Sequence, residues 1–488
     1  MNTHKAPSFM LLLAVSLTIA FGLRVGGLVN GRLHADEAYF AAFARDAVIH
    51  GRWLLPGDLD KPPLAIYATA LSLTAFAAQS QSSGVLDIDV ITGEFAARLP
   101  SLFASLITIA VLTSAAWRLY GDRVRAIGTA VLLTTSPALI AFSATAFTDG
   151  IMILMGALAL RAIAGQRPTW AGMWLGAALA AKPQGMLFIP LIVSIAWALG
   201  RLDARSLLRL VLPIGVWALL LLSWDGLRTG ATPFYALAAA HNSVSRLVHL
   251  DEVLPRLAQW LTYLGALVGV GGIALAPVAL FRGGESRRSD RIDALLVLYT
   301  GICLAAHWLI AVNVYDRYAL PLAIPLALLL TRGISVLIRR DRLVVWRRMA
   351  AATIGGLLLA NAWAAHMGAI AVGGDGGDGR HGVYDGIDDA AAWIDGQPTA
   401  TVIYDPWFGW HLRFYLSAWS DKRRVHYPTP LALADGAAAL DERAPRYLLA
   451  PRTGVITPWI AALRARGFRV TPAARIAQFI IYRLEPPL

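Results

Sequence analysis

Apolar stretches close to membrane-spanning length recur along this chain from residue 8 to residue 371. A helix needs roughly 20 apolar residues to cross the ~30 Å hydrocarbon core, because no backbone polar group can be left unpaired there. Such stretches fall at 8–28, 97–117, 126–145, 149–165, 169–181, 184–200, 206–224, 257–281, 293–312, 319–338 and 349–371. They predict a polytopic α-helical membrane protein of about 11 transmembrane helices, although 169–181 is short for a span on its own. The chain is 57% hydrophobic and 15% charged, where soluble domains carry about 25% charge. A disordered chain is excluded, and a lone cysteine, Cys303, excludes an intramolecular disulfide framework. The N-terminus has a basic start at Lys5 and an apolar run Phe9–Leu23 without an A-x-A cleavage site, so it reads as an uncleaved first span.

Charge placement predicts orientation. Lys and Arg number 43 against 31 acidic residues, a net charge of +12, yet only four are lysines: Lys5, Lys61, Lys182 and Lys422. With a cytoplasmic N-terminus, the loops after the second, fourth, sixth, eighth and tenth spans hold 18 arginines between Arg118 and Arg348, against five acidic residues. The first outer loop, 29–95, reverses this, with eight acidic residues against Arg32, Arg45, Arg52 and Lys61. This is the positive-inside pattern. The basic surplus is therefore topological, and no nucleic-acid partner is needed to explain it.

Three regions follow: a helical membrane region 1–372 that includes the periplasmic loop 29–95, a Gly-rich linker 373–384, and a less apolar tail 385–488. Within the loop, 62–78 is apolar but follows Pro62–Pro63. Counting it as a span would invert every later loop, so it is expected to be an interfacial helix on the outer face. The tail shows β-rich runs at Thr401–Tyr404, Tyr447–Ala450 and Phe479–Arg483 and an amphipathic stretch at Pro458–Arg466. It reads as a small α/β domain outside the cytoplasm.

A minority of charged residues falls at the outer ends of spans: His34, Asp36, Glu37, Asp60, Lys61, Asp149, Lys182, Asp316 and Arg317. Carboxylates able to take a proton and cations able to hold a phosphate, at the depth of a lipid headgroup, suit a lipid-phosphate substrate. In Asp60-Lys61-Pro62-Pro63 the prolines fix an extended approach that aims the lysine. Lys182-Pro183 marks the tip of a helical hairpin, and Asp149 and Tyr315-Asp-Arg-Tyr318 mark further span edges. Asp58-Leu-Asp60 and Asp87-Ile-Asp89 match a short D-x-D metal pattern common by chance.

The ordered set His34-Ala-Asp-Glu-Ala-Tyr39, Asp60-Lys-Pro-Pro-Leu64, Ala97-Arg-Leu-Pro-Ser101, Leu119-Tyr-Gly121, Ser136-Pro137, Thr148-Asp149, Ala181-Lys-Pro-Gln184 and Arg317-Tyr-Ala-Leu-Pro321 resembles the bacterial polyprenyl-phosphate-sugar-dependent glycosyltransferases of the GT-C fold. These form the superfamily of the protein O-mannosyltransferases and the aminoarabinose (lipid A) transferases. The resemblance implies an inverting sugar transfer at the outer face of the inner membrane, from a polyprenyl-phosphate donor to a lipid, glycan or protein acceptor, without a nucleotide. It implies that Asp36 is the catalytic acidic position, the carboxylate that takes the acceptor's proton, with Glu37 beside it, and that Lys61 and Lys182 face the lipid phosphate. Arg317 and Tyr318 lie where the family places a further donor contact, with Asp149 at a neighbouring edge. Some members hold a divalent ion through the acid before the first lysine and a later histidine. Asp60 matches the first of these, and His241 or His249 is the candidate for the second. A secondary transporter is the main rival, although transporters concentrate ionisable groups at the midplane. A non-catalytic membrane scaffold is the second rival.

Overall fold

The computed structural model describes residues 6–29, 31–81, 84–228, 232–241, 246–279, 286–339, 344–372, 383–440, 444–452 and 456–487. Residues 373–382 of the expected linker, and Lys5, Arg282, Glu285, Arg340, Asp341 and Arg342 of the charge pattern, lie outside the described residues. In chain order the elements begin α1 (Ala6–Val25), α2 (Ala35–His50), α3 (Leu64–Phe76), β1 (Ala78–Ser80), β2 (Leu86–Ile88), α4 (Val90–Tyr120), α5 (Arg123–Thr135), α6 (Pro137–Ser143) and α7 (Asp149–Ala164). They continue α8 (Pro168–Ala181), α9 (Phe188–Ala198), α10 (Ala204–Leu227), α11 (Phe234–His241), α12 (Leu250–Ala279), α13 (Arg287–Leu309), α14 (Ala323–Arg339) and α15 (Val344–His366). The last are α16 (Ile387–Asp395), β3 (Val402–Tyr404), α17 (Gly409–Tyr415), β4 (Arg423–Val425), α18 (Pro430–Ala438), β5 (Arg446–Pro451), α19 (Ile456–Ala465), β6 (Arg469–Ile476) and β7 (Phe479–Glu485).

Each of the eleven expected segments is largely helical. Among the described residues six helices are long and apolar enough to cross a membrane: Phe9–Val29, Val90–Tyr120, Ala204–Leu227, Leu250–Ala279, Arg287–Leu309 and Asp316–Ile338. A seventh candidate is the pair Arg123–Thr135 and Pro137–Ser143, bent by 59°. The shortfall from eleven comes largely from α7, α8 and α9, of 16, 14 and 11 residues. At 1.5 Å per residue they reach only about 24, 21 and 17 Å.

The chain divides into two compact units. The first comprises Met1–Leu28, Leu54–Thr69 and Arg98–Gly379, and the second Val29–Trp53, Ala70–Ala97 and Arg380–Leu488. Much of the outer loop therefore groups with the tail, where sequence alone had left it with the membrane region.

The first unit is helical. Leu132, Leu275, Leu330 and Leu358, from α5, α12, α14 and α15, form one buried cluster. Pro137 ends α5, and the Ser136 hydroxyl at the bend donates to the Leu267 carbonyl at 2.6 Å. Two residues on, Gly269 breaks the regular path of α12 at φ 68°, a conformation that strains any residue with a Cβ. Arginines expected as solvated topology charges are partly inside: Arg125 is 1% exposed and pairs with Asp293 at 2.7 Å, which also accepts from Arg332 at 3.2 Å.

The second unit contains a five-stranded sheet of order β4-β3-β5-β7-β6. Strands β4, β3 and β5 run parallel, and β7 and β6 are antiparallel additions. The three strands and the α19 helix expected from the tail are all present. The core joins Val402, Tyr404, Leu433, Leu448, Trp459, Leu463, Phe468 and Leu484. The earlier segments add α2 and the β1–β2 hairpin, paired Ala78↔Ile88.

Candidate functional site

The residues expected to carry chemistry divide between the units. Asp60, Lys61, Asp149, Lys182, His241, Arg317 and Tyr318 belong to the first, and Asp36 and Glu37 to the second.

In the first unit, α8 ends at Lys182 because Pro183 supplies no amide hydrogen for a further turn. Lys182 is extended at φ −159° and opens a 3-10 turn, Pro183–Leu187. Gly185 lies so close to α8 that a Cβ there would meet the Ala178 carbonyl carbon at 2.5 Å. Asp149 sits in the first turn of α7, where the helix dipole favours a carboxylate. Lys182 Nζ donates to Asp149 Oδ1 at 2.7 Å, both side chains being almost wholly buried. The same ammonium lies 5.3 Å from the centre of the Tyr318 ring. Arg317, one residue earlier, has its guanidinium 4.9 Å over Tyr315 and 5.4 Å over Phe147. Arg317 and Lys61 are both near enough for their charges to act on Lys182. Three cations expected to serve one phosphate are thus collected in one unit.

Lys61 is positioned by the loop before α3. Arg228, which caps α10, donates to the Leu55 carbonyl at 3.2 Å, to the Gly57 carbonyl, and to Asp225 at 3.0 Å. Leu55 holds φ +52°, a strained value for leucine, and is buried. Trp224, a turn earlier in α10, donates its indole hydrogen to Tyr67 of α3 at 2.9 Å. Asp60 is buried, accepts from Lys61, and faces His241 Nδ1 at 3.1 Å. Burial raises the Asp60 carboxyl, but the Lys61 ammonium and the hydrogen bonds from Lys61 and His241 outweigh it and hold the group below the usual carboxylate range.

The structure thus joins Asp60 to His241, while the His249 amide donates to Glu252 at the start of α12. A divalent ion here would take Asp60 Oδ2, the atom that already receives the Lys61 ammonium. Among the described residues no three His, Cys, Asp or Glu side chains are grouped to hold a metal. The donor set as placed does not fit a resident metal ion. The D-x-D triplets have other work: Asp89 accepts from the Thr92 amide at 3.0 Å in the first turn of α4, and Asp87 accepts from Gln81 at 2.8 Å.

In the second unit His34 caps α2. Its Nδ1 accepts from the Asp36 amide at 3.2 Å, and Glu37 Oε2 accepts from the His34 amide at 2.9 Å, a capping box. Glu37 is 3% exposed and engaged in the cap, whereas Asp36 is half-buried in the positive first turn. The preceding residue is held from the tail: the Leu33 amide donates to Tyr415 Oη at 2.7 Å, and His411 Nε2 donates to the Leu33 carbonyl at 3.1 Å. Tyr415 also donates to Glu94, which pairs with Arg32 at 2.6 Å.

Sequence reasoning missed Arg228, His411 and Tyr415, whose partners lie up to 382 residues away. The buried Arg228 beside the aromatic end of an apolar span was the one local signal.

Helices of spanning length in one unit and a small mixed sheet in the other describe a polytopic membrane protein with a small α/β domain. The chain aligns with ArnT from Cupriavidus metallidurans in the apo state at 16% identity and a TM-score of 0.60, over 99% of this chain and 98% of that one. Against ArnT bound to undecaprenyl phosphate the values are 15% and 0.61, over 98% of each chain. The archaeal oligosaccharyltransferase AglB from Archaeoglobus fulgidus, in complex with an inhibitory peptide and a dolichol-phosphate, aligns at 12% and 0.57, over 92% of this chain and 70% of that one. No protein-family model and no curated protein matches the sequence. Identities this low carry the fold, and the chain has the GT-C fold.

Proposed function

We propose that the protein is an integral-membrane glycosyltransferase that moves a sugar from a polyprenyl-phosphate donor to an acceptor hydroxyl on a lipid, glycan or protein. The observation that carries the reading is the placing of Lys61 and Arg317 each within electrostatic reach of Lys182, beside Tyr318 and two carboxylates. Such a group suits a phosphate anion better than a transported solute. The binding of undecaprenyl phosphate by ArnT, which has the same fold, supports it.

In the proposed reaction Asp36 takes the proton of the acceptor hydroxyl. The oxygen attacks the anomeric carbon, the bond from that carbon to the phosphate oxygen breaks, and polyprenyl phosphate leaves with the electron pair. Attack opposite the leaving group inverts the centre. Lys61, Lys182 and Arg317 stabilise the charge on the departing phosphate. Activation is stored in the donor's phosphodiester, so no nucleotide takes part. The charge asymmetry of the loops supports a cytoplasmic N-terminus and a periplasmic second unit.

The test is release of radiolabelled sugar from a polyprenyl-phosphate donor. Asp36→Asn is expected to lower turnover by about 10²–10⁴-fold with membrane insertion and unfolding midpoint unchanged. Full activity in that variant would refute the base assignment.

A further inference from the structure

The first unit contains an apolar cavity of about 440 Å³ that the proposed chemistry does not use. It lies between α1, α5, α12, α14 and α15. Leu275 and Leu358 in its wall are buried, while Leu12 and Ile338 are 51% and 53% exposed, so it opens at the surface of the bundle. Of its lining residues Arg123 alone is charged. Folded interiors are close-packed, with few voids larger than a water molecule, and an apolar void stays dry. Between helices that cross a bilayer, hydrocarbon is what remains to fill it.

Charge identifies the hydrocarbon. The cavity reaches one end of the bundle: Phe9 is in the first turn of α1, Arg123 opens α5, and Ile338 is one residue from the end of α14. Arginines collect at this end. The segments 118–125 and 332–348 hold nine of them against Asp122 and Asp341. Arg125 and Arg332 pair with Asp293 and Asp290, which leaves seven. Asp122 is engaged in the cap of α5, accepting from the Val124 amide at 2.9 Å and the Ser335 hydroxyl at 3.3 Å. Arg123 is held with its guanidinium 5.7 Å over the Trp117 ring, which packs on the ring of Phe9 at 5.8 Å. An indole beside a guanidinium suits the depth of lipid headgroups. Arg348 lies three residues before the lining Ala351, on the same side of α15. An apolar slot that ends among arginines matches a lipid with a hydrocarbon tail and an anionic head. The cations assigned to the donor, Lys61, Lys182 and Arg317, fall by charge placement at the opposite ends of their spans.

We propose that this cavity holds an acyl chain of an anionic diacyl phospholipid from the leaflet at the arginine-rich end, with Arg123 contacting its phosphate.

Gly355 lines the cavity, and a Cβ there would meet no atom within 4 Å. Gly355→Trp therefore fills the space, with a residue that suits a helix better than glycine. The test is native mass spectrometry of the delipidated full-length protein in detergent, titrated with phosphatidylglycerol and with phosphatidylcholine of the same chains. One phosphatidylglycerol is expected to bind at least tenfold tighter than phosphatidylcholine, through the charge-assisted contact to Arg123. Gly355→Trp should weaken it at least tenfold, and Arg123→Gln should lower it to the level of phosphatidylcholine. Lys182→Met with Asp149→Asn, which alters the proposed donor site, should leave it unchanged. No binding, equal affinity for the two lipids, or unchanged affinity in a folded Gly355→Trp variant overturns the assignment. Loss of phosphatidylglycerol in the Lys182 and Asp149 double variant would put the lipid at the donor cations and overturn it as well. The measurement contains no sugar and reads no transfer, so its failure and that of the glycosyltransferase reading are separate. The lipid comparison uses the wild-type chain and stands whether or not the variants fold.

Discussion

Lys182 is given two jobs, neutralising Asp149 and holding a phosphate, and a pair of substitutions separates them. The ammonium lies 2.7 Å from Asp149 Oδ1, with the two side chains 5% and 3% exposed. Lys182→Met strands a buried carboxylate, and breaking such a pair by removing one member costs about 3–5 kcal/mol. The expected reading is a marked fall in the thermal unfolding midpoint of the detergent-solubilised protein. Lys182→Met with Asp149→Asn removes both charges at similar volume, which is close to neutral for stability, so the midpoint should return near that of the wild type. Donor affinity should behave differently. A charge-assisted contact to phosphate contributes about 1.5–3 kcal/mol, or roughly a 10–150-fold change at 1.4 kcal/mol per decade. Undecaprenyl phosphate should therefore bind about 10–150-fold more weakly to the single and to the double variant alike. If the double variant recovers wild-type affinity, Lys182 only balances Asp149 and the phosphate role is wrong. If the single variant unfolds no earlier than the wild type, the pair is not an energetic unit.

Arg228→Ala removes the donors that fix the Leu55–Gly57 backbone ahead of Lys61, and should raise the donor KM several-fold more than it lowers kcat; an unchanged KM would separate that loop from the donor. If Asp60 and His241 form a hydrogen-bonded pair, His241→Ala should cost the fold little, about 1 kcal/mol, and added divalent cation should not alter the effect on activity. A metal concentration that restores His241→Ala would show a ligand role instead. Two buried groups of the second unit oppose each other in acid. Burial holds His411 down at about 4, so between the unfolded value near 6.5 and 4 the unfolded chain takes a proton the fold resists, and stability falls with pH. Burial lifts Asp405 to about 6, against the hydrogen bonds from Phe408 and Trp407, so between 6 and 4 the fold takes a proton the unfolded chain does not, and stability rises. His411→Gln should leave only the second effect, and its unfolding midpoint should climb relative to wild type from pH 6.5 to 4; parallel curves would exclude a buried neutral histidine.

What could be read from the sequence was set by local rules. Apolar length located the helices, and β-branched and aromatic runs located three strands of the sheet. The prolines after Lys61 and Lys182 pointed to cations held at chain breaks. The capping box was visible as His34-x-x-Glu37, but histidine is not among the usual capping residues, so Glu37 read as chemistry when much of its work is structural. Among the described residues the helices long enough to span number six or seven rather than eleven because α7, α8 and α9 are apolar yet short, and composition does not report helix length after folding. The burial of Arg125 beside Asp293 was hidden for a related reason: a basic loop residue 168 positions from its partner carries no mark of the pairing. The largest gap was the grouping of 29–53 and 70–97 with the tail, which rests on contacts spanning nearly the whole chain.

That grouping has a consequence for how the protein is made. The amide of Leu33, three residues before Asp36, finds its acceptor on Tyr415, 382 residues later. At a synthesis rate of about 5–20 residues per second, the two are separated by about 20–80 s on the ribosome. Through that interval the acidic turn has been made but its anchor has not. The newborn chain therefore carries its proposed base in an unfinished setting until Tyr415 has been made, and a message cut short after α15 yields each of the described helices of spanning length but none of the tail contacts that hold Leu33.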